Sequence, residues 1–191
     1  MNVFTRNLKS GFTLIELIIV IALIGVMTII VMPSFRGDKL AQARQAQVDQ
    51  LNLLLATAQY SAITSGKINR VIFDLKLAKV RIEQLSAKKD NLNQDQYELL
   101  QVDYNETSLD WDSNLKIKEI YTNNQNAFWS DEVGNAKAWF YIVSDGNAQN
   151  VTINFIDLAE NEKTNEQSEY SLVLNPFTVQ FKLYDVFQKP S

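Results

Sequence analysis

Between Phe12 and Met32 the chain runs for 21 residues in which only Thr13, Glu16, Gly25 and Thr28 interrupt Leu, Ile, Val, Ala, Met and Phe. At about 1.5 Å per residue a helix of that length reaches roughly 30 Å, the thickness of a bilayer's hydrocarbon core. The run is long enough to span once. Ahead of it lies a polar leader, Met1 to Gly11, with Arg6 and Lys9 and no acid, a charge bias that favours a cytoplasmic N-terminus and translocation of the remainder of the chain. The sequence Ile29-Ile30-Val31-Met32-Pro33-Ser34-Phe35 offers no small-residue cleavage pattern, so the apolar run is expected to be retained rather than removed as a secretory signal. Glu16 is the anomaly. A carboxylate inside an apolar helix costs about 2.5–3.5 kcal/mol near the helix centre and marks a functional position by default. It needs a partner, and none is expected within its own run.

Composition removes much chemistry. Among 191 residues there is no Cys and no His, which excludes disulfides, thiolate nucleophiles, imidazole triads and Cys or His metal sites. The 18 basic and 22 acidic side chains give a net charge of −4. Such a balance has no general attraction for phosphate backbones or anionic lipid.

After the apolar run, Pro33 removes a helical donor and predicts a kink, with Gly37 adding flexibility. Leu40, Ala43, Val48, Leu51, Leu55, Ala58 and Ala62 then follow at largely three- and four-residue steps, an amphipathic helix whose other face carries Arg44, Gln45, Gln47, Asp49, Asn52 and Gln59 for solvent or a neighbouring subunit. Ser65-Gly66 supplies its stop. From Lys67 the period changes to two. Val71, Phe73 and Leu75 begin a β-rich region, and further strands are predicted at 79–85, 97–103, 115–122, 138–144, 151–156, 169–174 and 178–184. Ser144-Asp145-Gly146-Asn147 and Asn175-Pro176 read as turns, and 86–96 and 157–167 as surface loops. The expected fold class is α+β: a long N-terminal α-helix, half transmembrane and half amphipathic, packed on a C-terminal antiparallel β-sandwich-like domain. The predicted divisions are 1–11 leader, 12–33 transmembrane helix, 34–66 amphipathic helix and 67–191 globular domain.

Candidate chemistry in that domain is thin. Asp110, Asp112 and Asn114 copy the start of a calcium loop, but Leu115 replaces the turn glycine and Tyr121 the closing Glu, so no metal ligands are assigned. Ser86-x-x-Lys89 and Ser113-x-x-Lys116 fit a serine–lysine pattern but occur in polar stretches that would not desolvate a lysine. A carboxylate pair for glycoside hydrolysis is open on spacing alone. Trp111, Trp129, Trp139, Phe140 and Tyr141 read as strand and core aromatics. No catalytic residue and no cofactor is expected.

Gly11-Phe12-Thr13-Leu14-Ile15-Glu16, behind a short basic leader and ahead of a long apolar helix, resembles the class III signal of type IV pilins and type II secretion pseudopilins. The resemblance implies cleavage by a prepilin peptidase between Gly11 and Phe12 and N-methylation of Phe12. It also implies retention of the helix with Pro33 at its kink, and a meeting of Glu16 with the terminal ammonium of a neighbouring subunit. Losing Arg6 and Lys9 leaves 16 basic against 22 acidic side chains. The stretches 51–66 and 140–146 resemble the GspH/FimT group of minor pseudopilins and minor pilins, although Gln59 and Ser61 stand where that group typically has Arg and Glu. This likeness implies a structural subunit near the tip of a type II secretion pseudopilus, supporting protein export. Its expected partners are other pseudopilins or pilins, the prepilin peptidase, the inner-membrane assembly platform and exported substrates. The expected location is the inner membrane, crossed once, with the globular domain in the periplasm. The alternative is a minor pilin of a type IV pilus in adhesion, motility or DNA uptake; a membrane-tethered periplasmic enzyme is more distant. Some FimT relatives bind DNA through a basic tail, whereas residues 67–191 here hold 13 bases against 19 acids, which argues against nucleic acid.

Overall fold

A computed structural model describes residues 13–31, 39–89, 93–103, 105–127, 129–130, 136–164 and 168–189. The chain divides into two compact units, Met1–Lys39 and Leu40–Ser191. The first contains helix α1 (Leu14–Val31). Its 18 residues correspond to about 27 Å at ~1.5 Å each, and among the described residues no helix is long and apolar enough to cross a membrane. The expected span 12–33 extends past the described residues at both ends, and Pro33 with its kink lies outside them.

The second unit is built around α2 (Lys39–Ser65) and two antiparallel sheets. Strands β1 (Asn69–Asp74), β2 (Lys79–Lys89), β3 (Asp95–Leu99), β4 (Ser108–Asp110), β5 (Leu115–Thr122), β6 (Gln125–Asn126), β7 (Trp129–Ser130), β8 (Ala136–Ile142) and β9 (Val151–Asp157) precede the short helix α3 (Leu158–Thr164). Strands β10 (Glu169–Asn175) and β11 (Gln180–Tyr184) complete the unit. One sheet has the order β3-β2-β1-β8-β7, with β4 also on β2; the other has the order β11-β10-β9-β5-β6.

Periodicity explains the layers. In β1, β2 and β8 the residues Val71, Phe73, Val80, Ile82, Ala138, Phe140 and Ile142 are buried, so alternate positions of each strand turn to one side. Ile153, Phe155, Leu172, Leu174 and Phe181 do the same from the other sheet, and Val48, Leu51, Leu54, Leu55, Ala58 and Ala62 of α2 join both in one core. Aromatic rings bridge the sheets. Trp111 sits edge-on to Phe73 at 6.1 Å and to Phe155 at 6.2 Å, and Phe140 meets Phe181 at 6.2 Å. The Trp111 indole N–H donates to the Leu115 carbonyl at 2.7 Å, which makes its burial possible without an orphaned donor. The aromatics that the sequence assigns to the core are thus there for Trp111 and Phe140.

The structure corrects several boundaries. The expected loop 86–96 is partly strand, because β2 continues to Lys89 around a register shift against β3. The strand expected at 97–103 lies at Asp95–Leu99. The loop expected at 157–167 contains α3, which Asp157 starts by accepting the Glu160 N–H on its side chain at 3.1 Å. Residues expected to face solvent on α2 divide. Arg44 is only 6% exposed, and Asn52 and Gln59 are half-buried, whereas Gln45 and Asp49 are exposed and Ala43 of the apolar stripe is exposed as well. The stop at Ser65-Gly66 is where α2 ends, with Gly66 at φ +66°, a conformation that glycine adopts without steric cost.

Asn52 has a specific task. Strand β11 is outermost in its sheet, and its Phe181 N–H donates to Asn52 Oδ1 at 2.7 Å while Asn52 Nδ2 donates to the Phe181 carbonyl at 3.1 Å. One side chain thus closes a strand edge that would otherwise be open to another strand. Asn52→Leu is expected to lower stability by about 1–3 kcal/mol, the cost of unsatisfied half-buried backbone groups, and to raise concentration-dependent association. Thermal unfolding and light scattering of the full chain in detergent measure both.

Candidate functional site

Helix α1 begins with a reciprocal cap. Glu16 Oε2 accepts the Thr13 backbone N–H at 2.9 Å and the Thr13 hydroxyl at 3.0 Å, while the Glu16 N–H donates back to Thr13 Oγ1 at 3.3 Å. This is a capping box, in which the first and fourth residues of a helix start satisfy each other's orphan groups. The expectation that Glu16 has no partner inside its own run is therefore corrected: the partner is Thr13, a polar residue within it. Gly11 and Phe12 lie outside the described residues. Beyond the cap, Leu14, Ile15, Leu17, Ile18, Ile21, Leu23 and Ile24 are all more than half exposed. A helix that is apolar around its whole circumference belongs in lipid or in a bundle of helices.

In the second unit the two segments that carry the resemblance, far apart in sequence, meet. Gln59 Nε2 donates to the Gly146 carbonyl at 2.9 Å. Gly146 has φ +87°, and a Cβ built there would lie 2.8 Å from Ile63 Cδ1. Behind this contact Asn69 Nδ2 donates to the Ala58 carbonyl at 2.7 Å, and Gln84 Nε2 lies within 3.2 Å of Ser61 Oγ and 3.1 Å of Ser65 Oγ. Gln59 and Ser61, the two departures from the group's usual pattern, are both used. Neutral amide and hydroxyl bonds join the end of α2 to β2 and to the turn after β8.

A buried ionic cluster was not anticipated. Arg44 Nη1 donates to Asp157 Oδ2 at 2.7 Å and to Glu160 Oε2 at 2.8 Å, the Tyr170 hydroxyl donates to Glu160, and the guanidinium lies 4.1 Å from the Tyr170 ring centre. One cation, two carboxylates and one phenol thus tie α2 to β9, α3 and β10. Burial works against the Arg44 charge, but the hydrogen bond to Asp157 and the surrounding anions outweigh it and raise its pKa. Burial, helped by the bond to Glu160, holds the Tyr170 phenol far above its ordinary 10.0 against the opposing Arg44 charge. The available signal was spacing. Arg44 falls on the three- and four-residue rhythm of Val48, Leu51, Leu55, Ala58 and Ala62, on the buried side.

Ser113 and Lys116 both line a cavity beside Trp111 and Leu115, and the remaining sequence candidates pair elsewhere. Asp110 pairs with Lys79 at 3.2 Å, and Asp112 Oδ1 accepts the Asn114 N–H at 2.9 Å. Ser86 donates to Glu98, while Lys89 lies 3.9 Å from Asp95. Among the described residues no group of three potential ligands could hold a metal ion.

Three comparisons bear on these regions. The prokaryotic N-terminal methylation motif matches residues 6–32. Type IV major pilin protein PilE of Neisseria gonorrhoeae is 38% identical over 68 residues, 36% of this chain and 38% of the relative. A fimbrial protein of Neisseria meningitidis serogroup B is 40% identical over 64 residues, 34% of this chain and 35% of the relative. The chain therefore spans little more than a third of the length of these curated relatives. A solved structure, the minor pseudopilin EpsH from the Type 2 Secretion System of Vibrio cholerae, aligns with a TM-score of 0.48 at 13% identity, covering 74% of this chain and 95% of that one.

Two outcomes are expected. Because the folded pKa of Tyr170 is raised above its unfolded value, its contribution to stability is complete below about pH 10 and is lost as pH rises beyond that. Urea unfolding at about pH 9 to 11 then shows a decline that Tyr170→Phe makes shallower. Gly146→Ala, strained at its positive φ and crowded by Ile63, lowers the thermal midpoint. Adding Ile63→Ala restores only the part due to crowding.

Proposed function

We propose that this type IV pilin-like protein of the GspH/FimT type is a structural minor subunit near the tip of a type II secretion pseudopilus, where it supports protein export across the outer membrane. A prepilin peptidase cuts between Gly11 and Phe12, Phe12 is N-methylated, and the segment 12–33 anchors the chain once in the inner membrane with the globular domain in the periplasm. Supporting this reading are the methylation motif over residues 6–32 and the helix within it, which has no polar face. The single observation that carries it is the Thr13–Glu16 cap. Glu16 sits at the helix start, where its Oε2 is held by Thr13. The same carboxylate then faces the terminal ammonium of a neighbouring subunit. Both Thr13 and Glu16 lie after the cut, so the cap survives processing.

Pairing that carboxylate with an ammonium inside a helix bundle offsets desolvation only when the subunits are in register, so the pair acts as an assembly check. Force comes from elsewhere in the machine, and the chain needs no catalytic residue. Its partners are other pseudopilins, the inner-membrane assembly platform and exported substrates. A minor-pilin role in a type IV pilus is the second reading, favoured by the likeness of about a third of the chain to Neisseria pilins. Gene deletion separates them: loss of secretion with intact twitching supports the first, the reverse the second.

Mass spectrometry of the native protein is expected to find a mature chain beginning at methylated Phe12; a chain beginning after Met32, or one keeping Arg6 and Lys9 in a working filament, would falsify the reading. Glu16→Ala is expected to leave the globular domain folded and to reduce incorporation into filaments at least tenfold, as read by quantitative immunoblot of sheared filaments.

A further inference from the structure

Tyr184, Ser171, Asn154 and Glu119 lie in one register line across β11, β10, β9 and β5. Their neighbours Leu172, Ile153 and Phe155 turn into the core, so by alternation this polar row lies on the opposite side of the sheet. A polar row on an outer face is ordinarily wet. Here Ser171 is 0% and Asn154 3% exposed.

The cover is the chain itself. After β11 ends at Tyr184 the backbone bends at Asp185 and Val186 and returns over the sheet. The Gln188 N–H donates to Ser171 Oγ at 2.8 Å, and Asn154 Nδ2 donates to the Gln188 carbonyl at 3.3 Å and to Glu119 at 3.0 Å. Ser171 Oγ in turn donates to Asn154 Oδ1. Two side chains thus bind both backbone groups of one residue, in place of the main-chain groups that a neighbouring strand would offer. Withdrawing the segment would leave that network short of a donor and an acceptor.

We propose that the Ser171–Asn154–Glu119 row is a docking site for an extended polypeptide segment, filled in cis by residues 185–189, and that the same segment of a second copy fills it in trans when copies are crowded together. Recognition is through the main chain of Gln188, so the bonds in trans are those already made in cis, and exchange needs no new surface. A short tether gives an effective concentration in the millimolar range. The cis arrangement therefore prevails in dilute solution, and exchange requires comparably high local concentrations of subunits. The bend that must open carries Val186, 58% exposed, so little burial is lost there.

The test separates donor from acceptor. The acceptor is the chain truncated after Asp185, with the row intact; the donor is the full chain carrying Asn154→Ala and Ser171→Ala, with the segment intact and the row disabled. Association is measured in detergent by sedimentation, with folding checked by circular dichroism. The mixture is expected to form a one-to-one complex at least tenfold tighter than either protein forms with itself, and Gln188→Pro in the donor, which removes the N–H, is expected to abolish that gain. If truncation prevents folding, the full chain with Gln188→Pro serves as acceptor and the same gain is expected. A mixture that associates no more tightly than its components overturns the proposal.

Discussion

Helix α2 is the element on which the second unit depends. Its stripe of Val48, Leu51, Leu55, Ala58 and Ala62 enters the core shared by both sheets, so one surface of one helix supplies the apolar partner for each. Neither sheet closes on itself, and each has outer strands as short as two or three residues. Burial against α2 gives the stabilisation, and the helix fixes where the sheets must lie to share it. Burying a Leu or Ile side chain contributes about 1.5–3 kcal/mol. Leu51 and Leu55 are both fully buried.

Hydrogen bonds from uncharged amides to main chain then fix register. Asn52 holds the edge of β11, Asn69 holds the Ala58 carbonyl, Gln59 holds Gly146 and Asn154 holds Gln188. An amide presents both a donor and an acceptor, so it can substitute for a missing neighbouring strand. Strand β5, which β6 meets only at Tyr121 and Thr122, is protected differently. Strand β5 carries Lys116 and Lys118 and a register shift between Ile117 and Glu119, both of which discourage pairing with another chain. The ionic junction of Arg44 with Asp157 and Glu160 is buried. Such clusters specify geometry more than they stabilise, because desolvation consumes most of the Coulomb gain.

How much could be read from residues alone varied with the locality of the cause. Strand β5 lies where alternation of Leu115, Ile117 and later positions places it, and α2 stops where Gly66 allows the left-handed turn. The short α3 escaped because its polar composition matches a loop, and its seven residues are too few for a helical period to emerge. The Asp157-x-x-Glu160 spacing, a helix-start pattern, was the readable trace. Gln59 and Ser61 looked like departures from a family pattern, and only the fold shows each with a partner across the junction.

The apolar run and the change of period near Lys67 were legible in the sequence itself, whereas the Thr13–Glu16 cap, though equally local, emerged only with the structure. Each rests on groups within a few residues of one another, whose interaction the covalent chain guarantees. The partners of Arg44 and Asn52 were decided by tertiary structure alone. Arg44 finds its carboxylates 113 and 116 residues away and Asn52 its backbone partner 129 residues away. Whether a polar group faces water or is buried depends on whether folding brings a partner to it, and hydrophobic period along the chain carries no record of that partner.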